Sequence, residues 1–104
     1  MGASWEGFVL EQALQILHPN AEYFWGTHAG AELDLVFQSG GNRYGIEIKF
    51  NEAPALTPSM RIASSELSLE HLWIIYPGNE TYPVMKNITA LPLKNLDTIR
   101  EKIK

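Results

Sequence analysis

A chain of 104 residues, 45% hydrophobic and 19% charged, is long enough for one globular domain with a real core; without cysteine it excludes a disulfide framework and a thiolate zinc site. The net charge of −4 argues against tight non-specific binding of nucleic acid by this domain alone, because four of its eight Lys and Arg (Lys94, Arg100, Lys102, Lys104) lie in the last eleven residues. No apolar run approaches the roughly 20 residues of a membrane span, so no membrane partner is expected and a cytoplasmic location is the default.

In chain order, Ala3 to about Leu17 reads as a helix, with Ser4 as N-cap and Pro19 as terminator. At 100° per residue, Glu6, Val9, Leu10, Ala13 and Leu17 share one face. An acid on a core-facing stripe is costly unless paired, hydrogen-bonded or metal-bound. In the first turn, Glu6 can instead simply complement the helix dipole. Phe8 falls off the inner face, which suggests a partner surface. Ala21–Trp25 is a short aromatic strand, followed by the connection Gly26-Thr27-His28-Ala29-Gly30. The aromatics Trp5, Phe8, Tyr23 and Trp25 have the chemistry to stack bases, although rings near a first helix more often pack in a core.

Two strands follow, Glu32–Gln38 and Arg43–Phe50, joined by the turn-forming cluster Ser39-Gly40-Gly41-Asn42. Alternation puts Leu33, Leu35 and Phe37 on one face with Tyr44, Ile46 and Ile48. With Gln38 opposite Arg43, Asp34 lies across from Glu47, and Glu32 across from Lys49. Opposed side chains sit about 5 Å apart at Cβ, and like charges at that distance need a cation, a shared proton or a lysine to compensate. The pattern is D-x(n)-E-x-K, with thirteen residues from Asp34 to Glu47. Two carboxylates suffice to hold Mg²⁺ or Mn²⁺ beside a phosphate, and a lysine on the same strand face can orient water or neutralise developing charge. The bland alternative is a solvated hairpin face with a Glu32–Lys49 ion pair.

Asn51–Leu56 reads as a loop, and Thr57-Pro58 opens a second helix with Met60, Ala63, Ser64 and Leu67 inward. His71–Tyr76 is a continuous apolar run, expected as a strand buried on both faces. Tyr82–Met85 and Ile88–Leu91 are edge-strand material, with Pro83 restricting pairing. Asn95–Ile103 is a last helix with Leu96, Ile99 and Ile103 on its apolar stripe. His18, His28 and His71 lack metal-ligand spacing; His28 and Thr27 stand nearest the acidic patch. No phosphate-binding loop of the G-x-x-x-x-G-K-[ST] type occurs.

The helix glutamate, Asp34 and Glu47-Ile48-Lys49 together resemble the PD-(D/E)XK nuclease superfamily. More narrowly, SWEGFVLEQAL, EYFWGTHAGAELDLVF, YGIEIKF and WIIYPGNETYPVMKNITALPL resemble the uncharacterised C-terminal domain of predicted AAA+-type ATPases in bacteria and archaea. The resemblance covers nearly the whole chain. It implies a restriction-endonuclease-like α/β fold, a mixed sheet with helices on both faces, formed by residues 1–104 as one domain of a longer ATPase-containing protein. It further implies Glu6, Asp34, Glu47 and Lys49 as catalytic residues, with Asp34 and Glu47 as the ligands of Mg²⁺ or Mn²⁺. Leu33 stands where the superfamily has proline, and Gly26 follows Trp25 where the narrower family often has arginine. The function expected is metal-dependent hydrolysis of phosphodiester bonds in DNA, or in nucleic acid generally. The alternative is a non-catalytic module that recruits nucleic acid or protein for an upstream ATPase.

Overall fold

In the computed structural model, which describes residues 5–17, 21–26, 32–51 and 53–103, a six-stranded mixed sheet carries helices on both faces. The elements run α1 (Trp5–Leu17), β1 (Ala21–Gly26), β2 (Glu32–Ser39), β3 (Asn42–Ile48), α2 (Pro58–Glu66), β4 (His71–Tyr76), β5 (Tyr82–Met85) and β6 (Ile88–Pro92). A 3₁₀ segment, Leu93–Thr98, then leads into the short α3 (Ile99–Lys102). The strand order is β1-β2-β3-β4-β6-β5. This is the expected mixed α/β architecture. The expectations for Ser4, His18, Pro19, Thr27 and His28, and for the side chains of Tyr23 and Trp25, lie outside the described residues.

The turn between β2 and β3 is built as its residues dictate. Gly40 and Gly41 have φ of 60° and 85°, which suits the two-residue turn between the paired Ser39 and Asn42. From there the register runs through Gln38–Arg43 and Phe37–Tyr44 to Leu35–Ile46. β3, β4 and β6 are mutually parallel, and α2 makes the crossover from β3 to β4. Thr57 caps α2, its hydroxyl accepting the Met60 N–H at 3.2 Å, and Pro58 takes the first helical position. Ile88–Pro92 is not an edge but an interior strand between β4 and β5. The proline that restricts pairing, Pro83, sits on the true edge, β5.

Two apolar layers flank the sheet. On one face Leu35, Phe37, Tyr44, Ile46, Trp73 and Ile75 pack against α1 and the C-terminal helical segment, which supplies Leu96, Ile99 and Ile103. On the other, Val36, Leu72, Ile74 and Ile88 pack against Met60 and Ala63 of α2. Leu33 joins this second layer, although strict alternation would group it with Leu35 and Phe37. The cause is a β-bulge: β1 pairs Tyr23 with Val36 and then Trp25 with Leu33, so one residue of β1 faces two of β2, Asp34 and Leu35. The extra residue reverses the facing of everything before it.

Candidate functional site

The bulge coincides with a fork in the sheet. β2 stays with β1 through Gly26–Glu32, whereas its backbone pairing with β3 stops at Leu35–Ile46. β3 meanwhile continues along β4, and Lys49 N–H still reaches the Ile75 carbonyl at 3.0 Å. Between the diverging strands, side chains take over from the backbone ladder. Asp34 Oδ2 accepts the Ile48 N–H at 2.8 Å, and Glu47 Oε1 accepts the Asp34 N–H at 3.3 Å. These two bonds hold both carboxylates at the mouth of the fork, at the C-terminal end of β3.

Glu47 is 8% exposed, the one charged residue buried among the described residues. Burial, then the charge of Asp34 and a side-chain hydrogen bond with it, push its carboxyl up to about 8. Lys49 and the Asp34 N–H oppose that rise. At neutral pH Glu47 therefore holds its proton, which relieves its repulsion by the adjacent Asp34. Lys49 Nζ stands 3.5 Å from Glu47 Oε2 and is 35% exposed, so its ammonium borders both the pair and solvent. The compensations that the hairpin uses are thus a lysine and a proton.

Glu32 takes no part. The ladder has ended before it can face Lys49; it is exposed, and Lys49 turns to Glu47 instead. Glu6 is also exposed. The buried row of α1 runs through Val9, Ala13 and Leu17, with Trp5 at its start, and Glu6 lies 100° round from Trp5. Among the described residues no group of three or more His, Asp or Glu gathers for a metal ion, so the structure brings Asp34 and Glu47 together without Glu6. His71 serves packing: its Nε2 meets Thr89 Oγ1 at 2.8 Å and its ring lies 4.7 Å from that of Trp73. Burial, and then Lys102, hold its pKa below the usual histidine range.

Two features of the surroundings had no signal in the sequence. Asn51 and residues 53–57 wall a cavity of about 380 Å³ that opens beside Lys49, and the Pro54 carbonyl accepts the Tyr82 hydroxyl at 2.7 Å. Phe50, directly after Lys49, is 74% exposed, and its ring centroid lies 5.4 Å from that of Trp5.

The donor set at the fork is two hard carboxylate oxygens pairs, each with one oxygen engaged by a backbone N–H and lone pairs to spare. That suits a small divalent cation that keeps several waters. It does not suit a soft metal, for which thiolate is absent from the chain.

The sequence profile described as "Domain of unknown function (DUF4143)" matches residues 1–96. Among curated relatives, an uncharacterised protein of Mycobacterium bovis and one of Mycobacterium tuberculosis are each 45% identical over 98 residues. That stretch is 94% of this chain and 22% of either relative, so the chain spans about a fifth of their length. No solved structure matches it. Among the described residues, no helix is long and apolar enough to cross a membrane.

Proposed function

The chain belongs to the DUF4143 family, and we propose that its forked β2–β3 corner is a divalent-metal site for hydrolysis of phosphodiester bonds, of the PD-(D/E)XK nuclease type within a restriction-endonuclease-like fold. The observation that carries this reading is the contact between Asp34 and Glu47, both tied to backbone N–H groups where the sheet splits, with Lys49 as the adjoining cation. Asp34 and Glu47 would hold Mg²⁺ or Mn²⁺. A bound ion would neutralise charge on the phosphodiester and acidify a water. The chain's own residues do the rest: Asp34 and Glu47 fix the position of the charge, Glu47 gives up its proton on binding, and Lys49 steadies negative charge on the reacting phosphate.

The test separates chemistry from capture. Lys49→Ala should suppress Mn²⁺-dependent cleavage of branched, single-stranded or duplex DNA while leaving metal affinity nearly intact. Failure of the wild type to cut any of these at high enzyme concentration would remove the catalytic reading. A second reading, a non-catalytic module attached to an upstream ATPase, is favoured by the exposed Glu6 and the net charge of −4. Under that reading Lys49→Ala lowers nucleic-acid affinity and its salt dependence, with no cleavage to lose.

A further inference from the structure

We infer that the recess between the sheet and the C-terminal helical segment binds a small aromatic zwitterion, of the chemistry of an aromatic α-amino acid. The recess has a volume of about 480 Å³, and Tyr44, Glu70, His71, Trp73, Thr89 and Lys102 contribute to its lining. That volume falls within the roughly 300–1,000 Å³ of small-molecule clefts. Tyr44 and Trp73 belong to the α1-side layer together with Ile46 and Ile48, so Glu47 points to the opposite face. The recess is therefore separate from the carboxylate pair, and the inference does not depend on the phosphodiesterase reading.

Its floor is aromatic. The ring of Trp73 lies 5.7 Å from that of Tyr44, inclined by 26°, and 4.7 Å from that of His71, which Thr89 holds at 2.8 Å. Such a row offers a further planar group the offset contacts that aromatic pairs prefer. Tyr44 and Trp73 are each 4% exposed, yet neither the phenol nor the indole N–H has a hydrogen-bond partner among the described residues. No described side-chain N or O is both enclosed and unpaired, so these two polar ends keep an opening, and the recess is the space that both residues line. Charge completes the match. Lys102 lines the recess from α3 and Glu70 from the start of β4; both are exposed, and no ion pair joins them. Both nonetheless act on His71: after burial, the largest cause, Lys102 lowers its pKa and Glu70 raises it. Unpaired charges of both signs beside an aromatic floor suit a ligand that carries both signs. Its carboxylate has lone pairs for the indole N–H, the phenol and the Lys102 ammonium, and Glu70 would receive its ammonium.

The experiment follows the indole N–H resonances of the ¹⁵N-labelled chain, with Trp73→Phe identifying one of the three. L-Phenylalanine at millimolar concentration should shift the Trp73 resonance saturably, and L-alanine should leave it still. Phenethylamine, which lacks the carboxylate, should bind roughly 10-fold or more weakly than L-phenylalanine, the loss for charged hydrogen bonds. 3-Phenylpropionate, which lacks only the ammonium, should bind roughly 2- to 5-fold more weakly, the loss for one exposed charge contact. Lys102→Gln should weaken L-phenylalanine and 3-phenylpropionate but not phenethylamine; Glu70→Gln should weaken L-phenylalanine and phenethylamine but not 3-phenylpropionate. Both side chains are exposed, so these substitutions leave the fold intact. The inference is overturned if L-phenylalanine leaves the Trp73 resonance unmoved, if L-alanine shifts it equally, or if either truncated ligand binds as tightly as the whole. Binding indifferent to both Lys102→Gln and Glu70→Gln overturns it as well.

Discussion

Glu47 is the residue at which stability and proposed function conflict. Its folded-state pKa of about 8 lies above the ordinary 4.5, so between those values the native protein holds a proton that the unfolded chain has released. Stability from this group is complete below about 4.5 and declines as pH rises towards 8. Thermal midpoints of the metal-free protein across that window should fall with pH, and Glu47→Gln should flatten the decline. A slope unchanged in Glu47→Gln would assign it to other groups. Metal and proton compete for the same oxygens, so the stabilisation by Mn²⁺ should grow as pH rises over the same interval, measured as the difference in midpoint with and without the ion. Asp34→Asn removes one charge of the facing pair; it should abolish the Mn²⁺ increment and raise the metal-free midpoint.

At the scale of the elements, the corner depends on how closely β3 is packed from the α2 side. A Cβ added at Gly45 would stand 2.7 Å from Leu72, 2.9 Å from Leu33 and 2.9 Å from Leu69. Gly45→Ala should therefore cost about 1–3 kcal/mol in urea unfolding, through a shifted midpoint at unchanged slope. Thr57→Ala, which leaves the Met60 N–H without its cap, should cost about 1 kcal/mol by the same measurement. The two-residue turn and the capped start of α2 were legible in the sequence, because each follows from residues close along the chain. The bulge was not legible. Alternation assumes one residue per pleat, and nothing in ELDLVF marks where two must share a position. Leu33 and the missing Glu32–Lys49 pair both follow from that one insertion. Glu6 shows a different limit: the wheel leaves the centre of the buried stripe open, and the structure sets it on the row Trp5, Val9, Ala13 and Leu17, which turns Glu6 outward.

For the whole molecule, the layered plan was readable from runs of apolar residues, whereas the interior position of β6 was not, since a parallel neighbour is chosen by contacts distant in sequence. The plan also ranks the strands by protection. β3 and β4 are paired on both sides and buried on both faces, while β5 is a four-residue edge containing Pro83. Amide exchange should be slowest in β3 and β4 and fastest in β5. Fast exchange in β4 with a protected β5 would contradict the arrangement.

The fork has a further consequence, in terms of inheritance. Asp34, Glu47 and Lys49 all lie on one uninterrupted stretch, 33–50, whose two arms are already joined by their own turn. The chemistry proposed here is therefore portable as a cassette. Replacing that stretch in a relative with an altered corner would transplant both acids and the lysine in a single exchange, leaving the β1 partner of the bulge and the β4 partner of Lys49 to be matched by the recipient.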